Sequence, residues 1–130
     1  MLEAGGGADP EVLAVHLHAA GELERAREYA AQAARAAADA LAFDRAARLY
    51  RFALELVPAG SEARRGLVIA LATALANAGR GAESAAQYLA AADAAEGPRE
   101  ALQFRRCAAE QYLMSGHVSQ GMAALLVVRR

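Results

Sequence analysis

The sequence predicts an all-α fold, an antiparallel helical-repeat array of about seven helices, and three observations carry that expectation. Apolar residues recur at the i, i+3, i+4, i+7 spacing of one helix face in segment after segment. No segment alternates with the period of two that a half-buried strand requires. Alanine, the strongest helix former, supplies 38 of the 130 residues, so the 56% hydrophobic content describes closely packed helices and not lipid-facing ones. With 5% aromatics and no tryptophan, the core must be built from many small contacts.

Residues 1–8 are glycine-rich and are expected to be disordered, leaving 9–130 as one helical-repeat domain. Asp9-Pro10 is a strong helix start: the aspartate can cap, and the proline's missing N–H costs nothing at the first helical position. The first helix should run from Glu11 to Ala20 and stop at Gly21. A second spans Leu23 to Ala38, with Leu23, Ala26, Tyr29, Ala30 and Ala33 on its buried side. The third, within Phe43 to Pro58, is the clearest: Ala46, Leu49, Tyr50, Ala53, Leu54 and Val57 share one face, while Arg45, Arg48, Arg51 and Glu55 take the other. Asp44 suits the positive end of that helix and Pro58 stops it. Ser61 should begin a fourth helix that reaches Ala78 before Gly79; Glu83 to Ala95 is a fifth, closed by Gly97-Pro98. Arg99 to Ser115 is a sixth, and Ser119 is placed to cap a seventh.

Composition excludes several functions. Formal net charge is −1 and every basic residue is arginine, which gives no electrostatic reason to expect nucleic acid or acidic lipid. The single Cys107 cannot form an internal disulfide. An acid at position 3 with no apolar run behind it argues against a secretory signal. The longest apolar run, Gly66 to Ala76, falls short of the ~20 residues of a membrane span, so a cytoplasmic, membrane-free protein is expected.

Internal similarity supports repetition. Ala46-x3-Tyr50, then Ala53 and Pro58, follows the second-helix pattern A-x3-F…P of the tetratricopeptide repeat: a small residue for close approach, a ring one turn on, and a proline to end the unit. Val68-x2-Leu71-Ala72-x2-Leu75 takes the places of the first-helix pattern, followed by Gly79, Ser84-x3-Tyr88 and Ala91. Leu13, Ala14, Leu17, Gly21, Ala26 and Ala30 echo it, as do Ala108, Ala109, Tyr112, Gly116 and Leu125. The glycines at 21, 79 and 116 lie 58 and 37 apart, so the 34-residue period is not strict.

The stretch AVHLHAAGELERAREYAAQAARAAADALAFDRAARLYRFALEL resembles the start of the tetratricopeptide-type region of large bacterial multidomain regulators, and RRCAAEQYLMSGHVSQGMAAL resembles the repeats of their kinase-linked members. In that group the helical region follows an ATPase module, often with an N-terminal serine/threonine kinase or a LuxR-type DNA-binding domain. The resemblance implies a fragment without catalytic parts, serving protein–protein interaction or scaffolding in signalling. A second reading makes the chain the C-terminal helical part of an ATP-dependent serine/threonine kinase or transcriptional regulator. A third is a small DNA-binding bundle, because Glu110 to Leu126 has the outline of a helix-turn-helix; its leading residues Ser119, Gln120, Gly121 and Met122 carry no positive charge.

Catalytic motifs are absent from the residues themselves. With no lysine there is no phosphate-binding loop, and no H-E-x-x-H occurs. His16 and His18 would point roughly 200° apart on a helix, a poor metal pair, and Cys107 reads as a small buried hydrophobe. No enzyme activity, metal or cofactor is therefore expected. By the Val68 alignment Ile69, Thr73 and Asn77 line a partner groove, and by the Tyr112 alignment Gln103, Arg106 and Glu110 continue it. That mixed polar lining favours a peptide or protein partner. The last helix collects Met122, Leu125, Leu126, Val127 and Val128 with charge only at Arg129 and Arg130, so Met122, Leu125 and Leu126 are candidates for self-association into a homo-oligomer.

Overall fold

The computed structural model describes residues 9–58 and 60–128, and the side chains of Leu125, Val127 and Val128 are not among those described. The expectation for residues 1–8 and the charges of Arg129 and Arg130 lie outside these residues. The described chain contains helices and no strand: α1 (Pro10–Ala19), α2 (Leu23–Asp39), α3 (Phe43–Glu55), α4 (Glu62–Asn77), α5 (Gly81–Asp93), α6 (Pro98–Met114) and α7 (Val118–Val128). It falls into two compact units, one ending at Leu67 and the next beginning at Val68, with the division inside α4.

The starts follow from capping chemistry. Asp9 Oδ1 accepts from the Glu11 N–H at 2.9 Å with Pro10 behind it, and Ser61 Oγ accepts from the Ala63 N–H at 3.3 Å. The turns follow from one repeated device. At residues 21, 41, 79 and 116 the chain enters the left-handed region, with φ of 82°, 63°, 81° and 85°. At each, the N–H of that residue reaches back to the carbonyl three before it: His18, Ala38, Ala76 and Leu113. The next N–H reaches five back, to Leu17, Ala37, Leu75 and Tyr112, at 2.9, 2.8, 2.8 and 2.7 Å. This double closure satisfies the last helical carbonyls. The same next residue then opens the following helix, its carbonyl accepting from Ala26, Ala46, Ser84 and Gly121.

That geometry moves two expected starts. His117 and not Ser119 occupies the capping place of α7, which begins at Val118, and Arg80 does the same for α5, which begins at Gly81 instead of Glu83. In both cases the residue that closes the preceding helix is already positioned to open the next. Gly81 is buried against the end of α6: a Cβ there would lie 2.6 Å from Ser115 Cβ and 3.0 Å from the Gln111 carbonyl oxygen, so only glycine allows this approach.

The first unit packs α1 on α2 and α2 on α3. Ala14, Ala30 and Ala53, one from each helix, are fully buried, and Tyr29, Phe52 and Leu67 pack against them. The α3 face is as expected at Ala46, Leu49, Tyr50, Ala53 and Val57, with Leu54 half-buried. Leu23 departs from expectation at 46% exposed, because periodicity assigns a residue to a face but does not provide cover at a helix end. In the second unit α5 packs on α6 and α6 on α7. Leu71 and Leu75 of α4 are almost completely buried there, with Val68 and Phe104 buried beside the core alanines, and the buried Ser84 hydroxyl of α5 donates to the Ala72 carbonyl at 2.7 Å. Among the described residues no helix is long and apolar enough to cross a membrane.

Candidate functional site

The expected groove residues all lie in the second unit and all are exposed: Ile69, Thr73 and Asn77 on α4, and Gln103, Arg106 and Glu110 on α6. Their four-residue spacing along α4 keeps the first three on one side of that helix. What joins the two sets is Tyr88 of α5, half-buried, its ring stacked near Phe104 of α6 with centroids 6.4 Å apart. The Thr73 hydroxyl donates to the Ile69 carbonyl at 2.9 Å. The Thr73 side chain is also hydrogen-bonded to Tyr88, an interaction that lowers the phenol against the effect of burial. Burial holds the Tyr88 phenol above its ordinary range, and Cys107 and Glu110 beside it push the same way. Of the expected groove residues, Thr73 is thus hydrogen-bonded to Tyr88 and Glu110 acts on the same phenol through its charge; Asn77, Gln103 and Arg106 are exposed.

Cys107 is half-buried instead of buried. Burial and the Glu110 carboxylate raise the thiol, so at neutral pH it is protonated and a poor nucleophile. His16 and His18 are exposed, and His18 meets the Phe52 ring edge-on at 5.5 Å. His117 Nδ1 lies 2.9 Å from Ser115 Oγ, whose hydroxyl donates to the Gln111 carbonyl at 2.8 Å, a closing network for α6. No three metal-ligating side chains gather among the described residues. Met122 and Leu126 of the self-association set are 51% and 57% exposed, and the Leu125 side chain lies outside the described residues.

A concave feature in the first unit was missed by sequence reasoning. In the first unit α1 and α3 border a cleft of about 410 Å³, floored by Leu49 and walled by Val15 and Phe52, with Glu11, Arg48, Arg51 and Glu55 at its rim. Glu11 accepts from Arg45 Nη2 at 2.8 Å and from Arg48 Nη1 at 3.1 Å, which ties α1 to α3. Those hydrogen bonds, Arg48 first, hold the Glu11 carboxyl below its usual range. The available signal was the separation of Glu11 and Arg45, 34 residues, equal to one tetratricopeptide period. No known protein family, curated protein or solved structure matches the chain.

Proposed function

We propose that this chain is a non-catalytic, antiparallel helical-repeat segment of tetratricopeptide type that binds protein or peptide partners, as a scaffolding part of a bacterial signalling regulator. The observation that carries the reading is the meeting of Glu11 with Arg45, 34 residues on: stacked repeats bring helices of successive units together one period apart. The groove assignment is supported by Tyr88, hydrogen-bonded to Thr73 and stacked near Phe104, which sets aromatic surface beside the exposed polar residues of α4 and α6. Self-association through α7 belongs to the same reading, because Met122 and Leu126 form an open apolar surface.

Selection of phage-displayed random peptides against the whole chain tests it. Enriched peptides should lose at least ~10-fold in affinity for Arg106→Glu and keep their affinity for Glu24→Arg on the outer face of α2. Failure to enrich any peptide, or equal loss in both variants, would remove the groove assignment.

A further inference from the structure

We draw no further inference here: the strongest candidate, the apolar cleft between α1 and α3 of the first unit, is rimmed by two arginines and two glutamates whose charges balance, and nothing in the structure shows what covers it.

Discussion

Leu41 does what glycine does at three equivalent turns. Its φ of 63° places a branched side chain in the left-handed region, where Cβ crowds the following carbonyl at a cost of roughly 1–2 kcal/mol. The side chain is 73% exposed, so little burial offsets that cost. Glycine there would relieve the crowding and give back roughly 0.5–1 kcal/mol through the greater freedom of the unfolded chain. Leu41→Gly should therefore stabilise the protein by up to ~1 kcal/mol, seen as a higher urea midpoint with unchanged slope. A lower midpoint would mean that the Leu41 side chain contributes packing that outweighs its strained backbone.

Between elements, Glu11 clips α1 to Arg45 and Arg48 of α3. Its pH dependence has a definite sign. Glutamate titrates near ~4.3 in the unfolded chain, and the two guanidiniums lower that value in the folded one. The folded protein thus binds this proton less readily, so the clip contributes fully above the unfolded value and is lost as pH falls through the folded one. Glu11→Gln keeps the shape and removes the charge. Its deficit relative to wild type should be at most ~1 kcal/mol at neutral pH, because the arginines are half exposed or more, and should close in acid below ~4. A deficit that does not change with pH would assign Glu11 to packing.

For the whole molecule, charge and chemistry agree on what the chain should not do. With no lysine the chain has no phosphate-binding loop, and its net charge of −1 supplies no overall attraction for nucleic acid. ATP should produce no thermal shift, and duplex DNA should form no complex whose affinity falls with salt. Either response would move the chain toward the kinase-linked or DNA-binding readings.

The sequence by itself determined the number and nature of the helices, the Asp9 and Ser61 starts and the buried face of α3. These follow from neighbours within one or two turns: a cap acts over two residues, and a face is set by a 3.6-residue period. It also placed Ile69, Thr73 and Asn77 on one helix and Gln103, Arg106 and Glu110 on another, though not what lies between them. Only the tertiary structure decided that Tyr88 meets Thr73 and Phe104, that Glu11 reaches Arg45 and Arg48, and that Gly81 rests against Ser115. Each of those depends on how separate helices are set beside one another. In an alanine-rich chain many helix pairings satisfy the same periodicity, and the choice among them comes from turn geometry and close approach, which periodicity does not encode.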